Sequence, residues 1–229
     1  MTWIDKPYQE TDSLTGMVMA LGIVTKTSQV QVAAGYESGH TMVFIQNDPG
    51  APFQRLYCHR THSQPVLSLS ISPEQDHYFT SSADAILAKH PLPAAKSIWK
   101  TELKPFKIVQ TKHSGQQCLQ VRSDSRMIAT AGWDARIRVY SAKTIKELAV
   151  LKWHKGGCYA TAFAAIGDEN NDGDTASLSE NQDPSSAEDL IQHSSTVSTV
   201  QQRRDAKARS THWLAAGSKD GKVSLWDIY

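Results

Sequence analysis

No stretch of this chain approaches the roughly 18 consecutive apolar residues of a membrane-spanning helix. Its opening, MTWIDKPYQETDS, mixes acids into a polar run and has no apolar centre, so it does not read as a secretory leader. Cysteine is scarce: Cys58, Cys118 and Cys158 are odd in number and show no C-x-x-C spacing, which excludes a disulfide framework and a zinc ribbon. They read as buried, reduced thiols of a cytosolic or nuclear protein. An excess of one charge is also missing. With 24 basic and 23 acidic residues and a net charge of +1, the balance argues against a protein dedicated to nucleic acid or to a membrane surface and leaves room only for a local basic patch. A nucleophile elbow, a phosphate-binding glycine loop and paired carboxylates at strand ends are all lacking, so neither an enzyme nor a cofactor is expected. The run GSKDG at Gly217–Gly221 has suitable glycines, but it joins two extended segments and no helix N-terminus stands behind it.

What the chain does have is repetition. Met127 to Tyr140 (MIATAGWDARIRVY) is an apolar run, a polar turn holding Asp134 and an alternating run, the pattern of a β-hairpin. Trp213 to Trp226 (WLAAGSKDGKVSLW) has the same form, and Ala33 to Phe44 (AAGYESGHTMVF) aligns with its second part without a gap. Strand patterns group into units of four: 15–57, 58–111, 112–152 and 153–229, after a polar lead at 1–14. Spacing supports the parse. Asp84 follows His62 by 22 residues and Asp134 follows His113 by 21, but Asp220 follows His154 by 66. The excess matches the 44 residues from Gly167 to Ser210, rich in Ser, Asp, Glu, Asn and Gln, which are expected to form a disordered insertion at 167–210. The fold class is therefore all-β, an array of about three and a half four-stranded units.

A unit of about 40 to 50 residues, with a His before its first strand, an Asp in its second turn and Trp226-Asp227 closing the last, resembles the WD-repeat β-propeller. The resemblance implies a hydrogen-bonded set of His, second-strand hydroxyl, turn Asp and third-strand aromatic in each blade. In the third unit these are His113, Thr130, Asp134 and Tyr140, which makes it the best-preserved blade and predicts that Asp134→Ala is strongly destabilising. In the fourth they are His154, Asp220 and Trp226, with Ala216 in place of the hydroxyl. The second and weakest unit keeps His62 and Asp84, with His90 in place of the aromatic, and in the first Ser38 replaces the Asp.

Read together, TGMVMAL, AAGYESGH, ATAGWDARIRVYS, LAVLKWHKGGCYATAFA and AAGSKDGKVSLWDIY resemble the C-terminal part of the fungal ASTRA-associated WD-repeat family, relatives of the G-protein-β-like propellers. The resemblance implies a nuclear, non-catalytic scaffold, present also in the cytoplasm, in an assembly tied to chromatin remodelling and to maturation of phosphatidylinositol-kinase-like kinases. Its partners would be protein subunits and kinase-maturation co-chaperones, with no direct nucleic acid, membrane or small-molecule substrate. The alternative is a cytoplasmic signalling adaptor that binds peptides. A family propeller needs about seven blades. This chain is accordingly expected to be an N-terminally truncated form with open sheet edges.

The remaining candidates are weak. Asp168, Asn170, Asp172, Gly173 and Asp174 mimic an EF-hand loop, but Ser179 stands where Glu should close it. Cys58, His59 and His62 have no second cluster at zinc spacing. Arg203, Arg204, Lys207 and Arg209 read as a solvated linker, and Ser177, Ser179, Ser185 and Ser186 as exposed serines among acids. Trp133 and Trp153 are candidate partner-binding aromatics, with turn or core packing the plainer account.

Overall fold

The computed structural model describes residues 15–26, 29–94, 103–113, 115–166 and 200–228. Sheet one contains β1 (Val18–Lys26), β2 (Gln29–Tyr36), β3 (His40–Gln46) and β4 (Gln54–Arg60). Sheet two contains β5 (Val66–Ile71), β6 (His77–Ser82), β7 (Ile86–Pro91) and β8 (Lys107–Gln110), and sheet three β9 (Gln116–Val121), β10 (Met127–Gly132), β11 (Arg136–Ser141) and β12 (Glu147–Lys152). Sheet four has β13 (Cys158–Phe163), β14 (Trp213–Ser218) and β15 (Val223–Asp227), with β15 at its edge among the described residues. All pairings are antiparallel between chain neighbours. Strand β4 runs on to Arg60, past the expected end at Tyr57, so Cys58 and His59 belong to sheet one rather than to the second unit.

The sheets stack face to face in chain order, a propeller-like arrangement. Val24, Ala33, Val43 and Tyr57 of sheet one meet Leu69 and Tyr78 of sheet two. Phe79 and Leu87 then meet Leu119, Ile128 and Tyr140 of sheet three, and Ala129, Ala131, Ile137 and Val139 meet Cys158, Leu214 and Ala216 of sheet four. Period-two alternation dictates this, since each strand must bury one row of side chains forward and the other backward. Small residues let the layers approach: a Cβ on Gly35 would lie 2.5 Å from Val66. Each fully buried Leu or Ile at these contacts contributes about 1.5–3 kcal/mol.

The expectation of disorder through residue 210 is corrected at its end. Residues 200–210 form α1 (Val200–Ser210), while 167–199, with the EF-hand-like acids and the four serines, lie outside the described residues. Composition explains the helix. Gln, Arg, Lys and Ala are strong helix formers, Lys207 and Arg209 suit the C-terminal dipole, and Thr211 Oγ1 donates to the Lys207 carbonyl at 2.6 Å. The described side chains of the helix are exposed, which is why the polar sequence read as unstructured.

Candidate functional site

The polar side chains of the repeats meet between the sheets, and the most complete set is in sheet two. The backbone N–H of His62 donates to the Gly39 carbonyl at 3.2 Å. Glycine is required there, because at φ +83° a Cβ would lie 2.1 Å from the His62 carbonyl oxygen. His62 Nδ1 lies 3.2 Å from Asp84 Oδ1 and Nε2 lies 2.8 Å from Thr80 Oγ1. Thr80 Oγ1 is also 2.9 Å from His90 Nε2, and His90 Nδ1 is 3.0 Å from the Tyr57 hydroxyl of sheet one. A carboxylate only accepts, so His62 Nδ1 carries the proton facing Asp84. While His62 is neutral, Thr80 donates to it, His90 Nε2–H donates to Thr80, and Tyr57 donates to His90; when it is protonated, its charge acts on both Asp84 and His90. Every donor in the chain points toward Asp84.

Burial alone pushes the Asp84 carboxyl up. The hydrogen bond and charge of His62 and the N–H groups of Ile86 and Ser63 outweigh it and hold the group below the ordinary carboxylate value. Burial, then the charges of His62 and His59, push His90 well below the ordinary imidazole value. Its ring stacks on Tyr78 at 4.9 Å, and Tyr78 donates to Thr41 Oγ1 at 2.9 Å, which donates in turn to the Ala34 carbonyl. His90, the apparent defect of the weakest unit, is thus one of the links that tie sheet two to sheet one. Tyr57 and His90 had no sequence signal beyond their position on neighbouring strands.

Sheet three does not assemble the predicted set. His113 is partly exposed and lies 4.0 Å from Glu147. Thr130 and Tyr140 are buried, but neither hydroxyl bonds to His113 or Asp134, and burial raises the Tyr140 phenol to about 12. The cause is Arg138, which stands directly across the strand pair from Thr130. Its guanidinium donates to both Asp134 oxygens, at 3.0 and 2.6 Å, with Glu147 3.6 Å from Nε. A planar fork satisfies a carboxylate better than an imidazole can, so Arg138 holds Asp134 and His113 faces outward.

In sheet four the missing hydroxyl is supplied from elsewhere. Ser224 lies opposite Ala216 across β14 and β15, and its Oγ accepts from Trp226 Nε1 at 2.8 Å and donates to His154 Nε2 at 2.8 Å. His154 Nδ1 remains 4.0 Å from Asp220, which instead accepts from the Lys222 N–H inside its own turn. Ser224→Ala severs both His154 and Trp226. A loss of about 1–2 kcal/mol is expected, read as a lower urea midpoint with unchanged slope; an unmoved midpoint would show that these two bonds carry no stability.

In sheet one Ser38 Oγ pairs with His40 Nδ1 at 2.8 Å. Trp133 and Trp153 are about half exposed, so neither is a core residue. Trp133 Nε1 donates to Gln117 at 2.9 Å, and its ring lies where a Cβ on Gly115 would be. Trp153 stands edge-on to His154, 4.9 Å away, with Lys222 Nζ 6.0 Å from its ring. The Cys58, His59 and His62 grouping does not converge, since His59 is bonded to Thr61 and both nitrogens of His62 are used. Glu74, Asp76 and His77 do cluster, but His77 Nδ1 is already bonded to Asp76. None of the three cysteines is in a disulfide, and burial pushes Cys158 up to about 11.

Similarity to known proteins follows the same lines. The family profile described as "WD domain, G-beta repeat" matches residues 106–141 and 186–227. "ASTRA-associated protein 1" of Penicillium rubens is 48% identical over 94% of this chain and 55% of its own length. The Aspergillus niger protein of that name is 46% identical over 96% of this chain and 55% of its own, and the Schizosaccharomyces pombe one 39% identical over 68% and 44%. The chain spans about half the length of the curated relatives it matches. Among solved structures, the computationally designed Ika4 protein superposes with a TM-score of 0.57 at 15% identity, covering 95% of each chain. The designed Ika8 protein gives 0.55 at 16% identity, covering 92% of this chain and 46% of that one. Both likenesses bear on the fold alone.

Proposed function

We propose that this chain, which belongs to the WD-repeat family of the ASTRA-associated proteins, acts as a non-catalytic scaffold subunit of an ASTRA-type assembly. The observation that carries the reading is identity of 48% sustained over 94% of the chain, rather than confined to the repeat positions that every WD protein shares. The chemistry of the inter-sheet sets agrees with it. Asp84, His62, Thr80 and His90 saturate one another and leave no acid, base or nucleophile free for a substrate. Trp133 and Trp153, held at the surface by Gln117 and His154, are suited to contacts with other subunits.

In this reading the protein works in the nucleus, in an assembly concerned with chromatin remodelling and with maturation of phosphatidylinositol-kinase-like kinases. Affinity purification of the tagged chain from nuclear extract tests it. Co-recovery of such a kinase or of helicase-type ATPases is the expected result; recovery of membrane-signalling proteins alone would overturn it in favour of a peptide-binding adaptor.

A further inference from the structure

Positive charge gathers where sheets three and four carry their β10–β11 and β14–β15 turns. Arg136 on β11 and Lys152 on β12 are direct cross-strand partners, so their side chains share one face. Lys155 follows on the connection to β13, and Lys219 and Lys222 lie in the β14–β15 turn. Contacts between the segments make this one surface. The Lys219 N–H donates to the Gly157 carbonyl at 2.8 Å, and a Cβ on Gly157 would lie 3.0 Å from the Trp133 carbonyl oxygen. Lys222 Nζ lies 6.0 Å from the Trp153 ring, and Arg136 is near enough for its charge to act on the Cys158 thiol of β13. All four lysines are exposed, and Trp133 and Trp153 stand among them 45% and 54% exposed. The surface is centred on the joint between two sheets that pack on each other.

The fold does not match this charge. Among the described residues no carboxylate pairs with Arg136, Lys152, Lys155, Lys219 or Lys222. Asp134 is held at both oxygens by Arg138, which also has Glu147 at 3.6 Å, and Asp220 accepts from the backbone of its own turn. Arg136, Arg138 and the four lysines thus stand against Asp134, Glu147 and Asp220, in a chain whose net charge is only +1. Like charges set directly opposite on neighbouring strands weaken a sheet. Lys89 and Lys107 are such a pair in sheet two, but Lys89 Nζ is in use, 5.5 Å from the Phe79 ring. Neither side chain of the pair Arg136 and Lys152 makes a hydrogen bond or ion pair in return among the described residues. A local cost with no compensating contact is expected where function requires it.

We infer that this surface binds an acidic peptide segment of a partner protein. Its carboxylates meet Arg136, Lys152 and Lys222, and its apolar side chains rest on Trp153 and Trp133. A partner of this kind presupposes the scaffold reading proposed above and gives that partner its chemistry. Nucleic acid fits less well. A duplex carries one charge for about every 1.7 Å of its axis and would bring phosphates onto Asp134 and Asp220, whereas a peptide can set its carboxylates apart with apolar residues that match the tryptophans.

Fluorescence anisotropy of a short labelled peptide of glutamate, aspartate and leucine, titrated with the purified full chain, is the test. Saturable binding that weakens with added salt is expected. Lys152→Glu and Trp153→Ala should each weaken it by about tenfold or more. Lys152→Glu also sets a carboxylate opposite Arg136, so its urea midpoint should not fall, which separates lost binding from lost folding. Circular dichroism verifies the fold of Trp153→Ala, and Lys222→Glu tests the same surface should that variant misfold. Lys107→Glu makes the same change of charge opposite Lys89 in sheet two and should bind as the wild type does. Absence of saturable binding would overturn the inference. So would equal weakening by Lys107→Glu, which would mean that net charge alone is sensed, or tighter binding of a duplex oligonucleotide than of the peptide. These results leave the recovery of subunits from nuclear extract untouched, so failure here and failure of the scaffold reading are told apart.

Discussion

Asp84→Ala is expected to lower the free energy of unfolding by about 3 kcal/mol, and Asp134→Ala by only about 1. Both aspartates occupy the same turn position of the repeat, so sequence alone ranks them equal or prefers Asp134. Their surroundings differ. The Asp84 side chain is 8% exposed, faces a His62 side chain that is fully buried, and accepts from the N–H groups of Ser63 and Ile86. Removing it leaves His62 Nδ1 and two backbone donors without their acceptor, and unsettles the whole series from His62 to Tyr57. Asp134 is 42% exposed, and its partner Arg138 keeps Glu147 at 3.6 Å when Asp134 is lost. Urea midpoints of the two variants decide the matter: equal losses would show that connection to the sheet-one interface adds nothing to Asp84.

Acidification from about pH 7.5 to about pH 5 is expected to destabilise the protein, at a rate of at most about 1.4 kcal/mol per pH unit for each buried histidine. His90 and His77 are both held below the ordinary imidazole value, chiefly by burial. Below about pH 6.5 the unfolded chain therefore binds protons that the folded chain refuses. Stability is full above that pH and falls as pH drops toward the folded-state values. Asp84 contributes nothing to this window, because its carboxyl is shifted downward and titrates only at stronger acid. His90→Phe keeps a ring beside Tyr78 and removes the titrating group. The variant is expected to be less stable overall, with a shallower pH profile; an unchanged slope would place the acid sensitivity elsewhere.

The fold was legible because it rests on period-two alternation and on a spacing that recurs, both of which are local signals. The polar sets were less so. The reading from His113, Thr130, Asp134 and Tyr140 matched residue types to positions within one unit, yet the outcome depends on what stands across the strand pair. Arg138 opposite Thr130 captures Asp134, and Ser224 opposite Ala216 replaces a lost hydroxyl. Both substitutions could have been read by writing the hairpins in register. The bridge from His90 to Tyr57 could not, because it joins two sheets and depends on how closely they stack. Helix α1 escaped for another reason: its sequence VQQRRDAKARS is almost wholly polar, so no apolar period announces it.

The connection between β13 and β14 sets sheet four apart in time. Its first hairpin must close over the 49 residues from 164 to 212, whereas β10 and β11 are joined by three and β14 and β15 by four. Chain closure grows costlier with the logarithm of length, so lengthening a loop from about four to about fifty residues adds about 2 kcal/mol of entropy before any contact is gained. Sheet four can begin from the β14–β15 hairpin, but β13 must pair across the long connection, so the sheet is expected to be completed last, onto a face that sheet three already presents. Pulse-labelled hydrogen exchange should find β13 protected later than β10 and β11. Until it docks, Ala129, Ala131, Ile137 and Val139 are the surface most exposed to misassembly, so the interval in which the nascent array is vulnerable is set by the length of the connection between β13 and β14.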